Sequence, residues 1–219
     1  MSKFDRNNQL PVIIIGSGGY SKVLIDILNL SNRNIIGITS KNMNTSDSFY
    51  GVKILGDDEI IFNYSPEDIE LVNAIGSLPN ENRRWDVANY FRNQKYRFST
   101  LVHPHSYIAS NCSLSEGVQV MAGAIIQSEV FIGKDCIINS GCIIDHECKI
   151  SECCHLAPGV VFSGNVKVGS YTFIGTGTRI INNISIGEKS IIAAGSSIYR
   201  DISPGILYKQ KLQINEKSI

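Results

Sequence analysis

Residues 132–155 read IGKDCI INSGCI IDHECK ISECCH, and every block of six begins with isoleucine. An aliphatic or aromatic residue recurs at this spacing from Ile108 to Ile198 without an insertion, so the repeat covers nearly half of the chain. A period of six fits neither an α-helix nor a simple alternating strand. It predicts a solenoid of short strands, each directing one large side chain toward the axis. These residues are Ile108, Leu114, Val120, Ile126, Ile132, Ile138, Ile144, Ile150, Leu156, Phe162, Val168, Ile174, Ile180, Ile186, Ile192 and Ile198.

The fifth position of each block is small or β-branched, as expected for a second inward side chain two residues before the next large one. Cysteine holds this position at Cys112, Cys136, Cys142, Cys148 and Cys154. An unpaired cysteine usually behaves as a small, buried, apolar residue. A zinc site built on Cys148, Cys153, Cys154 and His155 would lack paired CxxC spacing. We therefore predict that the cysteines belong to the core and that no metal is bound.

The overall composition is that of an ordinary globular protein, with 43% hydrophobic and 18% charged residues among 219. Lysine plus arginine equals aspartate plus glutamate, 20 against 20, which argues against nucleic acid or an anionic membrane surface as partner. The apolar runs are too short to span a bilayer, and the start, MSKFDRNNQLP, lacks a signal-peptide core. We expect a cytoplasmic protein.

The N-terminal part predicts a small α/β unit. Residues 11–19, PVIIIGSGG, read as a buried strand with a glycine turn, and helical periodicity follows from Tyr20 to Leu30. The pattern then predicts strands at 35–39, 52–55, 69–74 and 98–102, with helices at 57–63 and 81–93. A glycine turn before a helix lets backbone N–H groups approach a phosphate, although it can equally serve tight packing of helix on sheet.

A nicotinamide dinucleotide is a poor candidate for this glycine turn. The third glycine of that fingerprint is absent, and Thr39, Ser40 and Lys41 stand where an acidic residue would bind the ribose. His103 and His105 lie between the α/β unit and the repeat, and we interpret them as junction residues rather than catalytic ones.

Two histidines stand within the repeat, His146 in IDHECK and His155 in ISECCH. With the segments GSGGYSK (16–22), IIDHECKISECCHLAPG (143–159) and SGNVKVG (163–169), they make residues 11–203 resemble sugar acetyltransferases. The resemblance is to the sialic acid O-acetyltransferase and bacillosamine N-acetyltransferase family. It implies a Rossmann-like nucleotide-sugar-binding domain at 1–103, a left-handed parallel β-helix at 104–203 and a C-terminal tail at 204–219.

The same resemblance implies roles for single residues. His146 matches the catalytic base, and Glu147 matches the acidic residue that orients it, with Asp145 as the second choice. His155 matches the histidine that donates toward the thioester carbonyl of acetyl-CoA. Further cofactor-binding positions are Gly164, Thr176 and Ala194, and the substrate-binding positions are Gly16, Ser17, Gly18, Gly19, Tyr20, Ser40 and Gly76. Relatives place such sites between subunits, so a homotrimer is implied.

The chain departs from the family pattern at three places. Relatives commonly carry His-Gly where Tyr20 and Ser21 stand, and relatives that bind a uridine nucleotide can carry acidic residues where Ser40 and Lys41 stand. These two changes leave the nucleotide and the sugar undefined. The common Gly-x-Pro-Ala segment is replaced by residues 204–207, PGIL, which leaves the adenine end of the CoA site undefined.

The residue types suit direct acyl transfer. An amine that attacks a thioester must lose a proton, which an imidazole can accept, and a donor at the carbonyl oxygen stabilises the oxyanion. Together with the resemblance, these residue types lead us to expect an acetyl-CoA-dependent N-acetyltransferase of a nucleotide-linked amino-sugar, such as a 4-amino-4,6-dideoxy sugar. The alternative is O-acetylation of sialic acid or a related surface sugar. A zinc hydrolyase would need three histidines around one metal, and a non-catalytic sugar-binding scaffold would not need His146.

Overall fold

The computed structural model describes residues 10–79 and 81–210. They form an α/β sheet domain followed by a parallel β-solenoid, which confirms the predicted fold class. Residues 1–9 and 211–219, the ends of the predicted N-terminal domain and tail, lie outside the described residues. Within the described part, no helix is long and apolar enough to cross a membrane.

The N-terminal sheet has five strands in the order β3-β4-β2-β1-β5, parallel except for the pair β3 and β4. Two α-helices and one 3-10 helix connect the strands. In chain order, the strands and helices of this domain are β1 Val12–Ile15, α1 Gly19–Leu30, β2 Ile35–Thr39, β3 Ser48–Phe49, β4 Val52–Gly56, the 3-10 helix Asp58–Asn63, β5 Glu70–Asn73 and α2 Arg83–Asn93.

Burial of β1 on both sides explains its uninterrupted apolar sequence. Val12 and Ile14 pack on one side of the sheet with Leu24 and Leu28 of α1. Ile13 and Ile15 pack on the other side in a cluster that contains Phe91 of α2. The alternation of side chains along the strand thus supplies both layers of the core.

The repeat folds into three parallel sheets, here called the first, second and third faces. Paired strand residues in neighbouring coils, such as Ile137 and His155, are 18 residues apart, so one coil is made of three hexads. The first face holds β6 Leu101–Val102, β9 Gln119–Val120, β12 Ile137–Ile138, β15 His155–Leu156, β18 Phe173–Ile174, β21 Ile191–Ile192 and β23 Leu207–Tyr208. The second holds β7 Tyr107–Ile108, β10 Ile125–Ile126, β13 Ile143–Ile144, β16 Val161–Phe162, β19 Arg179–Ile180 and β22 Ser197–Ile198. The third holds β8 Ser113–Leu114, β11 Phe131–Ile132, β14 Lys149–Ile150, β17 Lys167–Val168 and β20 Ser185–Ile186.

The interior of the β-helix is built as the period predicts. The large hexad residues from Val120 to Ile198 join one buried cluster, with Ile108 and Leu114 partly buried against it. Cys136, Cys142, Cys148 and Cys154 are in the same cluster and fully buried, and Cys112 packs against its edge. The six cysteines are unpaired thiols. The prediction that the hexad cysteines serve as core residues is confirmed.

The sequence prediction is wrong for one strand. The sequence predicts residues 98–102 as the last strand of the α/β unit, but Leu101–Val102 pairs with Gln119–Val120 in the β-helix. Phe98 retains only an isolated bridge to Leu71 of β5. The β-helix ladder also continues to Leu207–Tyr208. The division of the chain at 103/104 and 203/204 stays a prediction.

The two domains are joined along the first face by buried and charged contacts. Arg92 of α2 pairs with Asp135 through both terminal nitrogens, at 2.6 and 2.8 Å, and with Glu116 at 2.8 Å. Leu101 and Ile137 of the β-helix pack in the α1 cluster. Because a bidentate arginine–carboxylate pair is directional as well as strong, it fixes α2 relative to the β-helix.

Candidate active site

His146 and Glu147 form a hydrogen-bonded pair at the corner between the second and third faces. They occupy the turn between β13 and β14. The Nδ1 atom of His146 lies 2.9 Å from Oε2 of Glu147, and about half of each side chain is exposed. A carboxylate at Nδ1 keeps the proton there and leaves the lone pair of Nε2 available as a base. The sequence prediction prefers Glu147 to Asp145, and the contact agrees with that preference.

Asp145 has a different function in the turn. Its Oδ1 accepts a hydrogen bond of 2.8 Å from the backbone N–H of His146. Glu147 has a left-handed backbone, with φ of 61°. This conformation is not special to the site, because Glu129 and Asn165 occupy the same corner position one coil away with φ of 62° and 56°.

Gly164 lies directly against the His146 ring. It occupies the same corner one coil further on, and the backbone N–H of Asn165 donates to the carbonyl of His146 at 2.8 Å. A Cβ atom at position 164 would lie 2.5 Å from Cε1 and 2.7 Å from Nε2 of the imidazole. The ring can therefore lie where it does only because position 164 has no Cβ atom.

His155 lies on the first face and faces the N-terminal domain. Its Nδ1 is 3.0 Å from the carbonyl oxygen of Ser77, so Nδ1 carries the proton and donates. Nε2 is 3.3 Å from Nδ2 of Asn139, and Phe173 packs edge-on at 5.0 Å. Burial lowers the pKa of His155 to about 4, so the ring is neutral. For the predicted donation to a thioester carbonyl, the proton would have to move to Nε2 and one of these contacts would have to change.

The two histidines lie on opposite sides of one β-helix. His146 stands at the corner of the second and third faces, whereas His155 projects from the first face. The buried side chains of Ile144, Ile150 and Leu156 lie between them. One copy of the chain therefore does not bring His146 and His155 into a single site.

The remaining predicted cofactor residues, Thr176 and Ala194, share the corner between the first and second faces. Both are exposed and lie one coil apart, with the N–H of Gly195 donating to the carbonyl of Thr176 at 2.8 Å. Gly164 lies instead at the corner of His146. The predicted CoA-contacting residues are thus divided between two corners of the same protomer.

The predicted substrate-binding loops meet at one edge of the N-terminal sheet. Gly16 follows β1 and Gly76 lies shortly after β5, and these neighbouring strands have helices on opposite sides of the sheet. Crevices at such a reversal of strand order are the usual ligand sites of open α/β sheets. A Cβ on Gly16 would lie 3.5 Å from Ile75, so the two loops are in contact.

Side chains around the glycine turn bind one another. Ser17 donates to Ser40 at 2.7 Å, and Thr39 donates to Asp58 at 2.5 Å. Helix α1 begins after Gly18 and has neither a side-chain cap nor an acidic residue in its first turn. Gly18 and Gly19 are exposed and a Cβ on either would meet nothing within 4 Å, so their backbone is accessible.

Tyr20 points away from this turn and toward the β-helix. Its hydroxyl donates to Oε1 of Gln119 at 2.7 Å, and burial raises its pKa above the usual value. Gln119 also accepts from Arg84 at 2.9 Å and donates to the carbonyl of Asn73 at 2.9 Å. The sequence interpretation missed Asn139, Ser77, Arg84 and Gln119 because no local motif marks them.

A cleft of about 640 Å³ opens beside His155, between the first face and α2. Ser77, Trp85 and Asp86 line the N-terminal side, and Phe173 and Lys189 line the β-helix side. Aromatic and carboxylate groups in such a cleft suit the apolar face and the polar groups of a sugar.

Nucleophilic thiols and metal centres find little support in the described part of the chain. No group of three or more His, Cys, Asp or Glu residues there is placed to hold a metal ion. Burial raises the pKa of Cys148 to about 11 and that of Cys153 to about 12. Because the thiolate is the reactive form, both cysteines are poor nucleophiles near neutral pH. Their exclusion as nucleophiles and the absence of a metal stay predictions.

The chain is similar to solved sugar acetyltransferases. Residues 11–91 match the PglD N-terminal domain. A histidine-to-asparagine variant of perosamine N-acetyltransferase from Caulobacter crescentus, solved with CoA and GDP-perosamine, is 32% identical over 90% of this chain and 92% of its own, with a TM-score of 0.82. The acetyltransferase domain of PglB from Neisseria gonorrhoeae, solved with acetyl coenzyme A, is 25% identical over 90% and 95%, also at 0.82. WeeI from Acinetobacter baumannii, 19% identical over 90% and 95% with a TM-score of 0.77, shares the fold. A comparison with curated proteins finds no match.

These likenesses extend over both domains rather than over the β-helix alone. The relatives from Caulobacter and Neisseria cover nine-tenths of the chain. The chain belongs to the hexapeptide-repeat sugar acetyltransferase family, and it is homologous to acetyl-CoA-dependent sugar N-acetyltransferases.

Proposed function

We propose that the protein transfers the acetyl group of acetyl-CoA to the amine of a nucleotide-linked amino-sugar. The observation that carries the proposal is the His146–Glu147 pair, 2.9 Å apart and exposed, with Gly164 beneath the ring. The relative that is 32% identical was solved with CoA and GDP-perosamine, which supports a nucleotide-linked amino-sugar as acceptor. The crevice at Gly16 and Gly76 would hold the nucleotide diphosphate.

In the proposed reaction, His146 accepts the proton of the attacking amine at Nε2. The amine nitrogen forms a bond to the thioester carbon while its proton moves to the imidazole. Glu147 holds the proton on Nδ1 and stabilises the imidazolium that forms. The tetrahedral intermediate then collapses, the carbon–sulfur bond breaks, and the CoA thiolate takes up a proton. No covalent acyl-enzyme is required, because the thioester is already activated.

A homotrimer would bring the separated residues together. The second face carries an outward apolar column formed by Tyr107, Ile125, Ile143 and Val161, and Tyr107 and Ile143 are 56% and 39% exposed. A contiguous exposed apolar strip is typical of an interface. If the second faces of three copies surround a threefold axis, the corner of Thr176 and Ala194 in one copy lies beside the His146 corner of the next.

This arrangement gives each predicted group a place in a site between two copies. One copy would supply His146, Glu147 and Gly164. Its neighbour would supply the corner of Thr176 and Ala194, with His155 on the adjoining face. The nucleotide-sugar held by the sheet domain of that neighbour would direct its amine toward His146. The division of these residues within one protomer supports the trimer, because neither half is complete alone.

O-acetylation of sialic acid or a related sugar is the second candidate. A hydroxyl is a poorer nucleophile than an amine and depends more on the base, but His146 and Glu147 would serve both. Of the relatives named above, the one that is 32% identical is an N-acetyltransferase of perosamine. Neither it nor the PglB domain is named as a sialic acid enzyme, so we favour an amine as the acceptor group.

The test is the release of CoA thiol from acetyl-CoA in the presence of an acceptor panel. The panel contains UDP-, dTDP- and GDP-linked 4-amino-4,6-dideoxy sugars together with free and CMP-linked sialic acid. We expect turnover with one nucleotide amino-sugar and a product whose acetyl group survives mild base. An acetyl group that mild base removes would identify an ester and the O-acetyltransferase. No thiol release with any member would contradict the proposed function.

A further inference from the structure

Arg84 is the largest fully buried side chain of the described residues, with 1% of its surface exposed. It lies in the first turn of α2, beneath the edge of the sheet where the predicted substrate loops meet. One terminal nitrogen donates to the carbonyls of Asn73 and Ile75 at 2.8 and 2.7 Å. The other donates to Oε1 of Gln119 at 2.9 Å. Its guanidinium thus holds backbone from the end of β5 against the β-helix.

No carboxylate contacts this guanidinium within the described residues. Burial lowers the pKa of Arg84, and the charge of Asp135 opposes that effect from a distance. Among residues 10–79 and 81–210, Arg84 forms no ion pair, and its buried Nε has no hydrogen-bond partner. The rings of Tyr20 and Trp85 lie 6.0 and 5.5 Å from the guanidinium. Arg92, two turns later on α2, has both Asp135 and Glu116 as partners. Burying a charge that contacts no carboxylate has a desolvation cost, which an anion bound nearby would offset.

The contacts of Arg84 are concentrated on the loop that carries Gly76. Asn73 donates from its side chain to the Arg84 carbonyl at 2.8 Å and accepts from the N–H of Ile75 at 3.1 Å. At the other end of the loop, His155 donates to the carbonyl of Ser77 at 3.0 Å. Gly76 therefore lies between a point fixed by Arg84 and a point fixed by His155.

The glycine turn after β1 is also connected to Arg84, through Ile75 and Gln119. Ile75 contacts the position of a Cβ on Gly16 at 3.5 Å. The Tyr20 hydroxyl shares Gln119 Oε1 with Arg84, at 2.7 and 2.9 Å. Both predicted substrate loops are thus connected to one buried cation, which is placed to favour an anion bound between them.

We propose that Arg84 is a positioning residue for the acceptor: it fixes the Gly16 and Gly76 loops in one geometry and supplies a buried positive charge, in contact with no carboxylate, beneath the diphosphate. The inference rests on the proposed function for the nature of the acceptor. It assigns Arg84 no contact with the reacting atoms. Its effect should therefore appear in acceptor binding and not in binding of acetyl-CoA.

The experiment compares Arg84→Met, Arg84→Lys and Arg92→Met in the full-length protein. Steady-state kinetics give KM for the acceptor found in the panel and KM for acetyl-CoA, and calorimetry gives Kd for the matching nucleoside diphosphate. Arg92→Met is the matched control, because it removes a carboxylate-paired arginine from the same helix. Thermal unfolding and the oligomer mass identify variants that fail to fold.

For Arg84→Met we expect KM for the acceptor and Kd for the nucleoside diphosphate to rise by about 10–100-fold, with KM for acetyl-CoA within about twofold of wild type. Arg84→Lys should recover part of the loss, to about 3–10-fold, because it keeps the charge but not the fork of donors. Arg92→Met should lower the unfolding temperature and leave acceptor KM within about twofold.

Several results would overturn the proposal. A folded Arg84→Met with unchanged acceptor KM, or with an equal rise in KM for acetyl-CoA, would show that Arg84 does not act on the acceptor. If Arg84→Met does not fold, Arg84→Lys decides, and wild-type KM values in that variant contradict the proposal. If the wild-type enzyme turns over no nucleotide-linked sugar, that result contradicts both the proposed function and this inference. If the wild type is active and Arg84→Met has an unchanged KM for the acceptor, only the inference about Arg84 is contradicted.

Discussion

The imidazole of His146 lies against the backbone of Gly164 so closely that a Cβ on Gly164 would be 2.5 Å from Cε1 and 2.7 Å from Nε2. The contact joins two successive coils at one corner of the β-helix. It fixes one side of the ring, and the hydrogen bond to Glu147 fixes its rotation. The geometry of the proposed base is thus set by the 18-residue coil as well as by its own turn.

Replacing Gly164 by alanine should move the ring without damaging the fold. Gly164 is not in the left-handed region, so a Cβ causes no backbone strain and only the imidazole must shift. We expect kcat to fall by about 10–100-fold, because a shift of about 1 Å at a reacting group has an effect of that order. Steady-state kinetics of Gly164→Ala measure the fall in kcat, and thermal unfolding shows whether the fold is intact. Ser128→Ala, an exposed residue of the same corner one coil earlier, is the control. Full activity in Gly164→Ala would mean that the ring position is not critical.

Replacing Glu147 by glycine should separate activity from stability. The left-handed backbone of Glu147, φ 61°, is relaxed by glycine, so stability should be maintained or rise by up to about 1 kcal/mol. Activity should fall by about 10–100-fold, because the charged hydrogen bond to His146 is lost. Glu129→Gly is a matched control, with φ of 62° at the same corner and no predicted role. Equal activity losses in the two variants would contradict a specific role for Glu147.

A charge on the second face should break the proposed trimer. Ile143 projects from that face and is 39% exposed, and we expect Ile143→Asp to yield smaller species and to lose most activity. Phe131 is similarly exposed, at 43%, but projects from the third face. Phe131→Asp should therefore keep the wild-type mass and rate. Sedimentation measures the mass of each variant, and thiol release measures its activity. An active Ile143→Asp monomer would contradict an active site shared between two subunits.

The state of His155 predicts a pH dependence of stability. Its pKa is lowered by burial from 6.5 to about 4, so below pH 6.5 the unfolded chain binds a proton that the folded chain does not. The free energy of unfolding should fall as pH decreases from 6.5 toward 4, by about 1–3 kcal/mol for this group.

The variant His155→Asn isolates that contribution. An asparagine amide can still donate to the Ser77 carbonyl but does not titrate. Urea unfolding between about pH 7 and pH 4.5 should show a steeper loss of stability in the wild type than in the variant. Parallel curves would mean that His155 is not held neutral in the folded protein.

Much of the β-helix could be predicted from the sequence, because a single period determines which side chains are buried. Ile144 and Cys148 are buried as the hexad pattern predicts, and His146 falls in an exposed turn between them. The pair of His146 and Glu147 is likewise local, since the two residues are neighbours in the chain. The resemblance assigns both residues through one short motif.

Long-range relationships were not visible in the sequence. The local pattern around Leu101–Val102 predicts a strand but not its partner, which is Gln119–Val120 on the first face of the β-helix. The contacts of Arg84 join α2 to the end of β5 through the backbone carbonyls of Asn73 and Ile75, and to the β-helix through the side chain of Gln119. Such contacts leave no sequence motif. The separation of His146 from His155 also required the three faces to be known, because a spacing of nine residues does not say which side of the coil each residue occupies.

The measurement that tests the central claim most directly is thiol release by wild type and His146→Ala with the same acceptor and acetyl-CoA. We expect kcat to fall by about 10²–10⁴-fold in the variant, with its unfolding temperature and oligomer mass unchanged, because the proton of the attacking amine has lost its acceptor. Cys148→Ala, two residues further along the turn, should keep the wild-type rate. A folded His146→Ala enzyme that releases thiol at the wild-type rate would contradict the assignment of His146 as the base.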